Sequence, residues 1–290
     1  MIRLGVIGHH GYSGLPAALR TLIDVAPRFG LDLYFENGLH NVGAGGRMLE
    51  SPAGLDALLT LGGDGTLLRG ARLIASHQVP ILGINMGRLG FLTCCPADQL
   101  TQALEHISKK EYLTETRMAL VATLDGIHGK TRNTWIALND VVVHKGGVAR
   151  VVSLRVGVNG EPIATYAADG VVISTPTGST AYSLSAGGPV VFPTLESILV
   201  TPVSAHTLAI RPLLLPSTSE VTVQPEDGPT DILVTVDGQV GTTFAAGETL
   251  RVRRAERGIL IIRFPSSSFF ATLRKKLGWG GLPERDEPTT

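Results

Sequence analysis

Residues 55–85 read LDALLTLGGDGTLLRGARLIASHQVPILGIN, and this stretch decides the fold class of the first third of the chain. Leu55–Leu61 is a short apolar run, suited to a strand buried on both faces. It breaks on Gly62 and Gly63; a helix is then expected to begin near Thr66, and Val79–Gly83 reads as the next strand. Strand, glycine loop, helix, strand is the order of an open parallel α/β sheet. Toward the N-terminus the same alternation continues. Arg3–Gly8 reads as a strand, HHGYSG as a loop, Leu15–Phe29 as a helix and Leu31–Tyr34 as a short second strand.

Toward the C-terminus the pattern changes near Cys95. ADQLTQALEHIS (Ala97–Ser108) predicts a linking helix with Pro96 at its start. TRMALVATL, WIALNDVVV, VVSLRVGV, IATYAADGVVIST, TLAIRPLLL, EVTVQP, ILVTVDG, ETLRVRRA and GILIIRF follow, with turn residues between them. Such a series predicts an antiparallel, sandwich-like all-β domain. FFATLRKKLGWGG reads as a closing amphipathic helix with Phe270, Leu273 and Leu277 on one stripe. Its Arg274, Lys275 and Lys276 read as a solvated face.

Composition bounds the function. With 43% hydrophobic residues among 290, and 25 basic against 25 acidic side chains, the chain is an ordinary globular protein. Charge balance gives no basic excess for a nucleic-acid partner. No apolar run reaches membrane-spanning length, and IRLGVIG after Met1 lacks the build of a signal peptide. Cys94 and Cys95 are adjacent and are the only two cysteines. They offer neither a disulfide framework nor a Cys-based zinc site, which points to a reducing compartment, the cytoplasm.

The chemistry concentrates at LGGDGTLL. A buried strand ending in glycines exposes backbone N–H groups at the carboxyl edge of the sheet, where α/β folds bind ligands. The following helix offers its N-terminus to phosphate oxygens at the same place. Gly62, Gly63 and Gly65 would let a phosphate chain lie on bare backbone, with Thr66 as the helix cap. A carboxylate beside a phosphate cradle repels its ligand, so Asp64 needs a functional reason. It could orient and deprotonate an attacking hydroxyl, or hold a magnesium ion. A plain turn stabilised by Asp is the simpler alternative. The stretch is neither a Walker A loop nor a G-x-G-x-x-G fingerprint.

A second cluster lies in DGVVISTPTGSTAYSLSAGGP (Asp169–Pro189). Its small hydroxyl residues, Thr177, Ser179, Thr180 and Tyr182 among them, suit a purine edge, ribose hydroxyls or an amide. Asn139 and Asp140 interrupt the apolar run WIALNDVVV and must find partners or pay desolvation. They mark either a bulge or edge position or a nucleotide contact. Asn85 opens NMGRLGFL as a ligand loop or a local cap. His206 and Arg211, in SAHTLAIRP, either reach phosphate or anchor the connection between strands.

GGDGTLL, NMGRLGFL, LNDVVVHKGG, ADGVVISTPTGSTAYSLSAGGPVVFP, TPVSAHTLAIRPLLLP and VDGQ, taken in order and spacing, resemble the NAD kinase family. GGDG is shared with lipid- and phosphofructokinase-like kinases; the STPTGSTAYSLSAGG run is the specific part. The resemblance implies an α/β domain over 1–95 carrying the phosphate loop, a β-rich NAD-binding domain over 96–258, and a segment 259–290 returning to the first domain. It implies transfer of the terminal phosphate of ATP, or of inorganic polyphosphate, to the adenosine ribose 2′-hydroxyl of NAD. Asp64 would be the base. Asn139 and Thr177 would lie by the adenine, Asp140 by the ribose, Asp169 and Ala181 by the nicotinamide amide, and Thr180 and Tyr182 would complete the pocket. Magnesium dependence and a homodimer or homotetramer are implied as well. The chain departs from the family in having Asp140 where Glu is usual, Ala205 before His206 where Pro is usual, and an unusual first loop. A lipid or sugar kinase, or a non-catalytic nucleotide-binding module, are the competing readings.

Overall fold

The structure is a computed structural model describing residues 1–40, 46–93, 95–147, 151–205, 209–226, 232–265 and 268–279. Two compact units emerge: one of 1–67, 80–114 and 262–290, the other of 68–79 and 115–261. Cys94 and His206 lie outside the described residues.

In chain order the first elements are β1 (Ile2–Gly8), α1 (Leu15–Val25), β2 (Leu31–Phe35), α2 (Asn37–His40), β3 (Arg47–Met48), β4 (Ala57–Gly62), α3 (Asp64–Ile74), β5 (Ile81–Asn85), β6 (Cys95–Pro96), α4 (Leu100–Lys109) and β7 (Leu113–Arg117). With β20 (Ile259–Arg263) they build a sheet in the order β3-β2-β1-β4-β5-β20-β7, and β6 pairs with β5. The pairings from β3 through β5 are all parallel. The strands β4 and β5 are buried along their whole length, as the continuous apolar runs require. Leu15, Leu19 and Leu22 of α1 and Leu100, Leu104 and Ile107 of α4 share one core with Leu4, Leu59 and Ile84 of the strands. Helix α1 stops at Val25, short of the expected Phe29. Pro27 explains this: it has no N–H to give, and its ring crowds the carbonyl four residues back. The final helix α6 (Phe269–Leu277) is capped by the Ser268 hydroxyl and by left-handed Gly278. Of its expected stripe only Leu273 is buried; Phe270 and Leu277 are 55% and 40% exposed.

The second unit holds β8 (Leu120–Asp125), β9 (Thr131–Ala137), β10 (Asp140–Lys145), β11 (Val152–Val158), β12 (Glu161–Ala168), β13 (Gly170–Ser174), α5 (Tyr182–Ser185), β14 (Ser197–Val203), β15 (Leu213–Pro216), β16 (Val221–Pro225), β17 (Ile232–Val236), β18 (Val240–Thr243) and β19 (Thr249–Arg254). They form two six-stranded sheets, ordered β15-β14-β13-β10-β17-β18 and β12-β11-β16-β19-β8-β9, with antiparallel pairings. Inward residues of both sheets, such as Val141, Val143 and Ile173 against Leu120, Leu154 and Val252, share one core.

Two runs that read as single strands are each two strands in different sheets. WIALNDVVV contains the end of β9 and most of β10, with Leu138 and Asn139 at the crossing; IATYAADGVVIST contains most of β12 and then β13, with Asp169 at the crossing. The second crossing shows in the burial parity. Tyr166 and Ala168 face the core before it, Val171 and Ile173 after it. Polar residues within these runs therefore mark where the chain changes sheet. The bulge-or-edge reading of Asn139 and Asp140 does not hold, because β10 is a central strand whose register with β13 and β17 runs without a shift.

Candidate functional site

The functional residues fall into a cluster in each unit. In the first, the strand order reverses between β1 and β4, and the crevice at the carboxyl ends of strands flanking such a switch is the ordinary ligand position of an open α/β sheet. Two loops line it: His9–Gly14 after β1, and Gly62–Gly65 after β4. The His9 N–H donates to the Leu61 carbonyl at 3.0 Å, tying the loops together. Gly62 and Gly63 are needed for close approach. A Cβ on Gly62 would run into the Thr66 side chain, and one on Gly63 would stand 3.0 Å from the Tyr12 hydroxyl.

Asp64, not Thr66, opens α3, so the carboxylate sits in the first turn and the buried Thr66 donates its own N–H to the Gly63 carbonyl at 3.0 Å. A carboxylate there gains from the helix dipole. Its Oδ1 accepts from the N–H of Leu92 (3.1 Å) and Thr93 (3.0 Å) and from the Thr93 hydroxyl (2.9 Å). Its Oδ2 accepts from the Phe91 N–H at 2.8 Å. The Asp64 side chain is 26% exposed, and the Lys276 ammonium lies 3.8 Å from Oδ2 and 4.9 Å from the centre of the Phe91 ring. Oδ1 is thereby saturated and Oδ2 retains capacity for one more donor, such as an acceptor hydroxyl. Asn85 shapes the same loop. Its amide donates to the Arg88 carbonyl (2.7 Å) and accepts from the Gly87 N–H (2.9 Å), which makes it a local cap.

In the second unit Asn139, Asp140, Ala181 and Tyr182 come together around a cavity of about 360 Å³, with Val142, His144, Thr235, Asp237 and Gly238. Alternation along β10 produces the stripe: Val141 and Val143 enter the core, so Asp140, Val142 and His144 line the other face. The Asn139 Oδ1 is buried with no hydrogen-bond partner among the described residues. Asp140 is 4% exposed, and burial, reinforced by the neighbouring Asp237 charge, pushes its carboxyl up to about 7. Burial also raises Asp237, but three backbone N–H groups and Arg72 oppose that rise, so Asp140 is the first of the two to take a proton.

The hydroxyl run serves chiefly to fix itself over this sheet. Thr175 donates to the Leu138 carbonyl at 2.6 Å and accepts from the Gly178 N–H at 3.1 Å. Ser179 bonds to both Pro176 and Val191. Ser183 meets Thr201 at 3.0 Å. The Thr177 hydroxyl accepts from buried Arg117 at 3.2 Å, and Thr180 donates to the Thr177 carbonyl. A Cβ on Gly178 would fall 2.6 Å from the Asn139 carbonyl carbon and 2.8 Å from its Cα, so the turn lies directly on the strand that carries the site.

Of the remaining expected residues, Asp169 pairs with Lys145 at 2.6 Å. Arg211 is exposed and bonds to the Ile210 carbonyl. Sequence reasoning missed Asp237, whose Asp-Gly pair is already accounted for by a hairpin turn, and Arg72, which looks like an ordinary helix-surface cation. It also read Lys276 as solvated, since nothing in the chain's order signals its approach to Asp64.

Comparison with known proteins now bears on these clusters. The ATP-NAD kinase N-terminal domain matches residues 48–112, and the ATP-NAD kinase C-terminal domain matches 138–264. The NAD kinase of Gemmatimonas aurantiaca is 56% identical over 290 residues, covering 100% of both chains. That of Syntrophotalea carbinolica is 38% identical over 284 residues, covering 97% of this chain and 99% of its own. The crystal structure of yeast NADH kinase complexed with NADH superposes with a TM-score of 0.87 at 23% identity, covering 100% of this chain and 90% of that one. An NAD kinase from Archaeoglobus fulgidus in complex with ATP gives 0.74 at 22%, covering 96% and 98%. The structural likenesses establish the fold, and the sequence likenesses the family: this chain belongs to the NAD kinases.

Proposed function

We propose that this chain transfers the terminal phosphate of ATP to the adenosine ribose 2′-hydroxyl of NAD, with Asp64 orienting that hydroxyl and taking its proton. Inorganic polyphosphate is a second candidate donor. The observation carrying the acceptor side is the pairing, in one cavity, of an unpartnered buried Asn139 oxygen with an Asp140 carboxylate that receives no donor among the described residues. An amide suits an adenine edge, and a carboxylate suits a ribose diol, accepting from both hydroxyls. Tyr182, 44% exposed on the rim, and Ala181 complete this acceptor pocket, with Thr177 and Thr180 in the turn beside it and Asp169 toward the nicotinamide amide.

On the donor side, Gly62, Gly63, Gly65 and Thr66 offer the first turn of α3 to phosphate, and Asn85 keeps the facing loop in shape. His206 and Arg211 would add cationic contacts to phosphate. Proton transfer to Asp64 Oδ2 is late, coupled to departure of the leaving phosphate, since a carboxylate is a weak base toward an alcohol. Among the described residues no three His, Cys, Asp or Glu side chains gather as a metal site. The residues fit a magnesium ion that would be held by donor phosphates and water, which leaves Asp64 Oδ2 to the acceptor hydroxyl. Magnesium supplies charge neutralisation on the transferred phosphoryl group. The working division would be 1–95 for phosphate, 96–258 for NAD and 259–290 with the first domain, in a cytoplasmic homodimer or homotetramer. Among the described residues no helix is long and apolar enough to cross a membrane.

The test is incubation of the purified chain with magnesium, ATP or polyphosphate, and NAD or NADH, followed by identification of the 2′-phosphorylated product. Absence of that product with every donor and acceptor would refute the proposal.

A further inference from the structure

The three residues that carry the acceptor strand, Leu138, Asn139 and Asp140, are held from two sides. Two of their carbonyls are engaged by Thr175, which meets Leu138 through its hydroxyl at 2.6 Å and Asn139 through its N–H at 2.9 Å, and the Asp140 carbonyl accepts from the Asp237 N–H at 2.9 Å. Their N–H groups all converge on one side chain. Asp237 accepts from Leu138 at 3.2 Å through Oδ2, and from Asn139 at 2.8 Å and Asp140 at 3.2 Å through Oδ1. The Asp237 side chain is fully buried, so its carboxylate meets no ligand itself. Arg72 stands 3.8 Å from Oδ2 and donates to the Gln239 side chain.

Asp237 also has a local duty that must be separated from this one. Asp237 and Gly238 have φ of +51° and +62°, and the Gln239 N–H donates to the Val236 carbonyl at 3.0 Å. That is a type I′ hairpin turn, for which Asp-Gly, Asn-Gly and Gly-Gly all serve. The turn thus explains a small residue able to adopt positive φ at 237. It does not explain a buried charge collecting three N–H groups from a strand about a hundred residues earlier, which costs desolvation unless the bonds repay it.

We infer that Asp237 is a positioning residue of the acceptor pocket: its carboxylate, held by Arg72, sets the backbone of Leu138–Asp140 and so aims the Asn139 amide and the Asp140 carboxylate into the cavity. The inference rests on the proposed reading of Asn139 and Asp140 as the adenosine contacts.

The two roles separate in one series. Asp237→Asn and Asp237→Gly both preserve a type I′ turn, but the first keeps one accepting oxygen and the second keeps none. Steady-state kinetics would vary NAD and the phosphate donor separately, with thermal unfolding alongside. The expected result is a graded loss confined to NAD: its KM rises about tenfold in Asp237→Asn and about a hundredfold in Asp237→Gly, with donor KM unchanged. Equal, wild-type NAD KM values in both variants would leave only the turn and overturn the inference. So would a parallel rise for both substrates with collapse of the melting temperature. Should Asp237→Gly not fold, Asp237→Asn and Arg72→Gln still decide, each expected to raise the NAD KM alone. Asp140→Ala distinguishes the premise from the inference. If it leaves the NAD KM unchanged, the pocket reading itself fails. If it raises the KM while the Asp237 variants do not, the pocket stands and the positioning role falls.

Discussion

Replacing Asp140 by Asn should stabilise the protein in a pH-dependent way, by an amount that follows from the burial of this side chain. Its carboxyl is pushed up to about 7 from an ordinary 3.8, chiefly by desolvation. A carboxyl raised on folding binds its proton more tightly in the native state. It therefore costs nothing well below pH 4, costs progressively more between pH 4 and 7, and carries its full penalty above pH 7. The difference between 3.8 and 7, at about 1.4 kcal/mol per pKa unit, gives a full penalty of about 4 kcal/mol. Roughly 1.5 kcal/mol of it is already present at pH 5, which leaves roughly 2–3 kcal/mol to appear between pH 5 and pH 8. Asn carries no charge at either pH, and whatever its amide costs in unmatched hydrogen bonds cancels between the two. Guanidinium denaturation of wild type and Asp140→Asn at pH 5 and pH 8, without nucleotide, measures the effect. The variant's stability relative to wild type should improve by that 2–3 kcal/mol on raising the pH. A relative stability equal at both pH values to within about 0.5 kcal/mol would refute the argument that this carboxylate is desolvated and unpaired.

Three further outcomes follow from the same geometry. NAD KM should rise as pH falls through about 7, approaching tenfold per unit, because the anion accepts both ribose hydroxyls and the acid does not; initial rates at pH 5.5–8.5 check this, and Asp140→Asn should flatten the profile. Asp64→Asn should lower turnover by about 10²–10⁴ while NAD affinity, measured by calorimetry, stays near wild type, since the residue lies in the phosphate cluster. Unchanged turnover would remove Asp64 as the base. Gly178→Ala should cost about 3 kcal/mol and raise the NAD KM, because its Cβ meets the Asn139 backbone, which cannot swing aside as a side chain would. A melting temperature within a degree of wild type would show that the turn does not press on the strand.

The sequence made the local chemistry plain wherever one segment held all of it. The Gly-Gly-Asp-Gly loop follows a buried strand and precedes a helix, and both neighbours are written in the same thirty residues. Burial periodicity likewise yielded most strands of the second unit. The crossings at Asn139 and Asp169 were hidden because a chain that changes sheets keeps its apolar character across the break. β14 was missed because Pro202 interrupts a strand that also carries Ser197 and Thr201, although six of its seven residues are buried. The partners of the site were out of reach for a different reason. Asp237 meets Leu138–Asp140 across roughly a hundred residues, and Lys276 meets Asp64 across about two hundred. Such pairings depend on sheet order, which hydrophobic pattern alone does not specify.

The place of β20 has a consequence for how the protein is made. This strand is synthesised after every other described strand, yet it stands inside the first sheet, between β5 and β7. About 140 residues separate β7 from it, so a ribosome adding about 5–20 residues per second needs on the order of 10–30 s to supply it. Throughout that interval β5 has on that side only the two-residue β6, paired with Ile84 and Asn85, and the rest of its row of N–H and C=O groups is open to any passing strand. Most of the β-rich unit is already out and able to fold while the older sheet waits. The nascent chain is therefore most vulnerable to mispairing late in translation, and a product ending just before Ile259 would carry that open edge permanently.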